Sequence, residues 1–188
     1  AQGGRVGRLQ HDRPETGGNA ARVMLEVQIE APQWDKLPLE RLAMEAMAAT
    51  LDHLKLPKDN ASISLMACDD ARIAALNETF RDKPAATNVL SWPTATLSAE
   101  VAGDMPLMPE PDFDGTLELG DVAIAYETCA READELGKTL ENHATHLIVH
   151  GILHLLGYDH IRDPDATLMQ ALEIEILGKL GLDDPYIC

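Results

Sequence analysis

The chain has 188 residues, 45% of them hydrophobic and 25% charged, and its 32 acidic against 15 basic residues leave a formal charge of −17. These proportions fit one globular domain with a full-sized core, and no run approaches the ~18 apolar residues of a membrane span. The acidity excludes a broad phosphate-neutralising surface, so any nucleic acid would have to be met by a local basic cleft.

Residues 1–21 are rich in Gly, Arg and polar side chains and hold no apolar signal-peptide core. They are expected to form a disordered extension, with Ala1-Gln2-Gly3-Gly4, which lacks a Met, read as a remnant of processing or of cloning. Residues 22–188 are expected to form a single domain. From Val23 to Glu30, Val23, Leu25, Val27 and Ile29 alternate with polar neighbours, which is a strand pattern. Pro38–Leu54 carries Leu42, Met44, Met47, Leu51 and Leu54 at helical spacing, with Pro57 just beyond. Ala61–Ala67 is a second strand, after which Asp69 or Asp70 caps a short helix reaching Phe80. Thr87–Pro93 is a third strand stopped by proline.

Residues 94–116 hold Gly103, Pro106, Pro109, Pro111 and Gly115 among several acids. A structureless stretch of that length is uncommon inside a compact domain, so it is read as a lid or an insertion. Leu119–Ala125 is a fourth strand, and Tyr126–Leu136 is a helix closed by Gly137. A histidine-bearing helix follows, then a last amphipathic helix, Asp165–Leu180, ended by Gly181. The whole is an α/β (α+β) fold, a small mixed four-stranded sheet packed with about five helices, the histidine helix at its centre. Cys68, Cys129 and Cys188 are scattered and form no Cys-x-x-Cys pair, so no disulfide framework is expected and the compartment is read as cytoplasmic.

Five of the seven histidines fall within residues 143–160. At about 100° per residue, His150 and His154 point the same way one turn apart, whereas His160 on a continued helix would point roughly 120° away. Gly157 resolves this, because a glycine past a helix end turns the chain and can swing His160 back over the pair. Three imidazoles with a fourth position free is the donor set of a catalytic zinc site. A packed stripe of structural histidines is the competing reading. His143 and His146 are placed as supporting or cleft residues. On the other side, Ile148, Val149, Ile152, Leu153, Leu155 and Leu156 sweep an apolar arc that should bury the helix. The spacing H-x-x-x-H-x-x-G-x-x-H is that of the metzincin peptidases, but Gly151 stands where their general-base Glu would be.

With these segments in line, the sequence resembles the YbeY family of bacterial endoribonucleases and rRNA maturation factors. The resemblance is carried by His150-Gly-Ile-Leu-His-Leu-Leu-Gly-Tyr-Asp-His160, Leu76-Asn-Glu-Thr-Phe-Arg81, Thr87-Asn-Val-Leu-Ser-Trp-Pro93, Leu119-Gly-Asp-Val122 and Asp184-Pro-Tyr186. It spans roughly residues 23–187. It implies one zinc ion per chain on His150, His154 and His160 and an important arginine at Arg81. It also implies cleavage of single-stranded RNA, in 16S rRNA 3′ processing and ribosome quality control. The partners expected are therefore rRNA and the small ribosomal subunit or its proteins, with neither DNA nor membrane. Trp92 replaces the family's usual Phe, and the loop 94–116 looks longer than is typical.

The chemistry is coherent with that expectation. Zinc lowers the pKa of bound water, the nucleophile for the phosphodiester, and polarises a phosphoryl oxygen. The charge that develops on the phosphate suits a guanidinium, the role given to Arg81. Asp159 is read either as an acceptor orienting an imidazole or as a turn residue. Lys83, Arg131 and Lys138 are either phosphate contacts or solvated charges. Trp92 is either a base-stacking platform or a buried side chain. Two other functions stay open: a zinc peptidase, on the motif spacing alone, and a non-enzymatic ribosome-assembly factor whose metal is structural.

Overall fold

A computed structural model describes residues 24–187. The proposed N-terminal extension, Val23 and Cys188 therefore lie outside the described residues. Four strands, β1 (Met24–Ile29), β2 (Ala61–Cys68), β3 (Val89–Pro93) and β4 (Leu117–Ala125), form one sheet in the order β1-β2-β4-β3. β1, β2 and β4 run parallel and β3 antiparallel to β4, so the sheet is mixed as expected. The helices are α1 (Leu39–His53), α2 (Asp70–Arg81), α3 (Tyr126–Glu135), α4 (Leu140–Leu155) and α5 (Asp163–Lys179).

Strand alternation divides the apolar residues between two faces. Ile63 and Leu65 of β2 and Val122 and Ile124 of β4 face the main core, together with α1, α4 and α5. Cys68, Leu90, Ala123 and Ala125 face the other way, against Ile73 of α2. α4 lies on the sheet and is flanked by α1, α3 and α5. Ile148, Val149, Ile152, Leu153, Leu155 and Leu156 are all buried, as their arc requires. In α1 the packed stripe is drawn from Ala43 and Ala46 as well as Leu42, Met47 and Leu51, while Met44 and Leu54 are only half-buried.

The sequence reading passed over one element, a 3-10 helix at Pro32–Lys36. Its Trp34 is fully buried and donates its indole N–H to the Cys68 carbonyl at 2.9 Å. α5 begins two residues earlier than expected, because Pro164 sits inside its first turn, where a missing N–H costs nothing.

Two local devices set the position of the cleft. The first is a mutual capping of α2 and α3. Asp70 Oδ1 accepts the backbone N–H of Thr128 at 3.0 Å, and Glu127 Oε2 accepts that of Asp70 at 2.7 Å. Asp69 caps α2 from within, accepting from the Arg72 N–H. The second is Gly120, at φ 136°, beside a register shift between β2 and β4. A Cβ there would lie 2.2 Å from the Trp92 carbonyl oxygen, so only glycine lets β3 close on β4. Residues 94–116, which connect β3 to β4, contain no helix or strand. They are tied down at their start: Arg162 donates to the carbonyls of Ala99 and Glu100, and Leu107 N–H bonds Leu97 O at 2.8 Å.

Candidate metal centre and cleft

The C-terminal turn of α4 carries the histidines. His150 and His154 lie one turn apart, with ring centroids 4.6 Å from each other and Nε2 atoms 3.0 Å apart. The helix ends with Gly157 N–H bonded to His154 O and Tyr158 N–H to Leu153 O, each at 3.1 Å. Gly157 has φ 97°, the left-handed ending that the sequence assigned to it. A Cβ at 157 would meet the Leu97 carbonyl carbon at 2.7 Å, so the turn also fits tightly under the start of the long loop. The chain then returns His160 to the pair, its ring 5.4 Å from that of His150 and 5.0 Å from that of His154. One nitrogen from each of the three lies within 4.8 Å of the others, the only such group of possible ligands among the described residues.

Hydrogen bonding fixes which nitrogens are free. His154 Nδ1 lies 3.0 Å from the Tyr158 carbonyl oxygen, which can only accept, so Nδ1 carries the hydrogen and Nε2 is a bare lone pair. His150 Nδ1 faces Glu173 Oε1 at 2.5 Å with the same consequence. Two bare nitrogens 3.0 Å apart repel each other unless a proton or a cation is shared between them. Burial, followed by the neighbouring His150 and His160, pushes the His154 pKa down to about 4, so its neutral, ligating form is favoured. This donor set fits a transition-metal cation.

Glu173, on α5, is the site residue that sequence reasoning missed. Its side chain is fully buried. Burial alone would raise its pKa, but hydrogen bonds from His146 and His150 outweigh that and bring it down to about 2. A signal was present: Met169, Glu173, Ile176 and Leu177 fall on one helical face, so an acid occupies a position in the buried stripe. His146 Nε2 lies 2.9 Å from Glu173 Oε2, so this histidine supports the carboxylate rather than joining the three. His143 is buried against Glu132 at 3.2 Å.

The three histidines open into a cleft of ≈ 720 Å³ walled by the end of α2, by β3 and by the start of the long loop. Arg81 and Lys83 line it and are its only Lys or Arg among the described residues, with Asp159 the only acid among them. Arg81 Nη2 donates to the Ser91 carbonyl at 3.1 Å, and Arg81 makes no ion pair among the described residues. Arg131 and Lys138 do not reach the cleft, and Lys138 Nζ instead donates to Pro185 O. Asp159 Oδ1 accepts the His160 backbone N–H at 2.7 Å, which makes it the turn residue of the two readings. Trp92 points to the opposite sheet face, where it packs edge-on against Phe80 with ring centroids 5.7 Å apart. It cannot stack a base in this cleft, because strand alternation sends its neighbour Ser91 to the α4 side, where Ser91 Oγ donates to Gly151 O at 3.1 Å. Gly151 is pressed on the sheet as well. A Cβ there would meet Val122 Cγ1 at 2.8 Å, so the close approach of α4 to the sheet leaves no room for a side chain at this position.

Three imidazoles converging at the mouth of an open, cation-walled cleft define a protein able to hold one metal ion with space beside it for a substrate. The family model described as Endoribonuclease YbeY matches residues 25–181, and the chain belongs to that family. An Endoribonuclease YbeY from Ruegeria pomeroyi is 60% identical over 162 residues, covering 86% of this chain and 97% of the relative. One from Paramagnetospirillum magneticum is 43% identical, covering 87% and 96%. The solution structure of TM1509 from Thermotoga maritima shares the fold, with a TM-score of 0.51 at 20% identity over 84% of this chain and 92% of that one. Among the described residues no helix is long and apolar enough to cross a membrane.

Proposed function

We propose that this chain is a zinc-dependent endoribonuclease that cuts single-stranded RNA and acts on rRNA, in 16S 3′-end maturation and ribosome quality control. The observation that carries the reading is the meeting of three imidazoles with Arg81 and Lys83 in one cleft of a strongly acidic protein. His150, His154 and His160 would hold one zinc ion, which supplies Lewis acidity and brings the ionisation of water near neutral pH. Arg81, which among the described residues makes no ion pair and is tethered to β3 by a single hydrogen bond, turns its remaining N–H donors to a phosphate and meets the charge that builds on it. Lys83 adds a second cation for a neighbouring phosphate. Substrates thus find positive charge here and repulsion over much of the rest of the surface.

The peptidase reading loses support, because glycine at 151 supplies no base and the position is pressed on Val122 with no room for a side chain. The test is incubation of metal-replete protein with matched single- and double-stranded RNA and with casein. Cleavage of the single strand alone is expected. Hydrolysis of casein would favour the peptidase, and no hydrolysis at all would favour an assembly factor.

A further inference from the structure

Glu173 raises a question that packing does not answer. Among the described residues it is the one fully buried carboxylate, set between Met169 and Ile176 on the core face of α5. A buried ion network is commonly no more stabilising than apolar residues of the same volume, so stability alone does not account for an acid here. Its partners are specific. Oε1 faces His150 Nδ1 at 2.5 Å, and Oε2 accepts from His146 Nε2 at 2.9 Å and from the Tyr186 hydroxyl. Tyr186 comes from the segment after α5 and is 44% exposed, so its hydroxyl reaches inward from the surface.

We propose that Glu173 is a positioning residue for the metal centre: it holds His150 in the tautomer with hydrogen on Nδ1 and Nε2 bare, and Tyr186 and His146 hold Glu173. The inference rests on the three-imidazole reading of the site. The Tyr158 carbonyl does for His154 what Glu173 does for His150, so α4 would present two pre-set nitrogens. An ion arriving then displaces no hydrogen from them and turns neither ring, which is how such outer hydrogen bonds raise affinity. The same contact joins the C-terminal segment to the site, making Tyr186 a peg on the orienting group itself.

The experiment uses full-length protein stripped of metal and titrated with zinc against a chromophoric chelator, as wild type, Glu173→Gln, Tyr186→Phe and His160→Ala. Nitrogen-15 spectra of the metal-free histidines report the tautomer, which a merely structural role would not move. Glu173→Gln keeps the volume and should weaken zinc binding about 10–100-fold and mix the His150 tautomers, with Tyr186→Phe shifting both in the same direction but less. Zinc affinity within about twofold of wild type and an unchanged His150 tautomer in folded Glu173→Gln overturns the proposal, since an orienting bond of this kind is worth more. Should Glu173→Gln fail to fold, Tyr186→Phe decides by the same two readouts, and no change in either overturns it. Wild-type protein that binds no zinc, or binding undiminished in His160→Ala, overturns the metal reading itself. That outcome is distinct from zinc binding through His160 that ignores Glu173.

Discussion

His154 is half-buried at the helix end, with its Nδ1 held by the Tyr158 carbonyl. His154→Ala should therefore release the metal. His53→Ala should leave metal content untouched, because that ring only pairs with Glu175 at 2.7 Å on the protein's other helices. Full metal occupancy in the His154 variant would sink the assignment. Arg81→Glu should lower RNA cleavage at least about a hundredfold, the scale of losing one charge-stabilising donor, with metal content unchanged. Activity at the wild-type level would return Arg81 to a structural role on β3. The single residue also shows the limits of reading a sequence. Spacing located His150, His154 and His160 because helix pitch and Gly157 are local properties. Glu173 stayed hidden because an acid on a helix reads as solvent-facing until a partner helix is seen to cover it. Trp92 stayed open between two readings for a related reason: alternation tells which strand residues share a face but not which face looks into the cleft.

At the scale of elements, the approach of α4 to the sheet is set by Gly151 as tightly as the helix end is set by Gly157. Gly151→Ala puts a methyl within 2.8 Å of Val122 Cγ1 and should cost about 1–3 kcal/mol, the usual penalty of an overpacked core. Thermal melting of the metal-free variant checks this, and an unchanged midpoint would mean that α4 can slide outward freely. The strands and the five helices were legible to within about two residues at their ends, because alternation, helical spacing, Asp69 and the turn glycines act over a few residues. The strand order was not, since β4 enters between β2 and β3 through parallel pairing over a long separation that no local pattern encodes. The 3-10 helix at Pro32–Lys36 escaped as well, because one buried Trp34 gives no period to detect.

For the whole molecule, charge and protonation act together. In metal-free protein His154 has a folded pKa near 4 against an ordinary 6.5, so between those values the unfolded chain binds a proton that the folded one does not. Glu173, at about 2 against 4.5, works in the same sense at lower pH. Stability should thus rise with pH from about 2 to 6.5, and melts at successive pH values should show the midpoint falling as acid is added. A flat profile between pH 6.5 and 4 would contradict the lowered pKa of His154. With a net charge of −17, the protein should favour single-stranded RNA well ahead of duplex, with a shallow salt dependence because the cleft offers few cations at once. Equal rates on duplex, or binding that collapses with salt, would require an extended basic surface. The boundary near residue 22 is checked by removing residues 1–20, which should leave the melting midpoint within a few degrees. The connection from β3 to β4 has a consequence of another kind. Its start is pinned by Arg162 and Leu97, whereas beyond Met108 the hydrogen bonds among the described residues stay within one short turn, Gly115 N–H to Asp112 O, Asp112 N–H to Thr116 O and Thr116 N–H to Asp114 Oδ1. Closing a longer loop costs only about 0.6 kcal/mol per doubling of length. The stretch 108–115 is thus a natural port, where new chain can be grafted, by evolution or by an engineer, while the histidines stay in register.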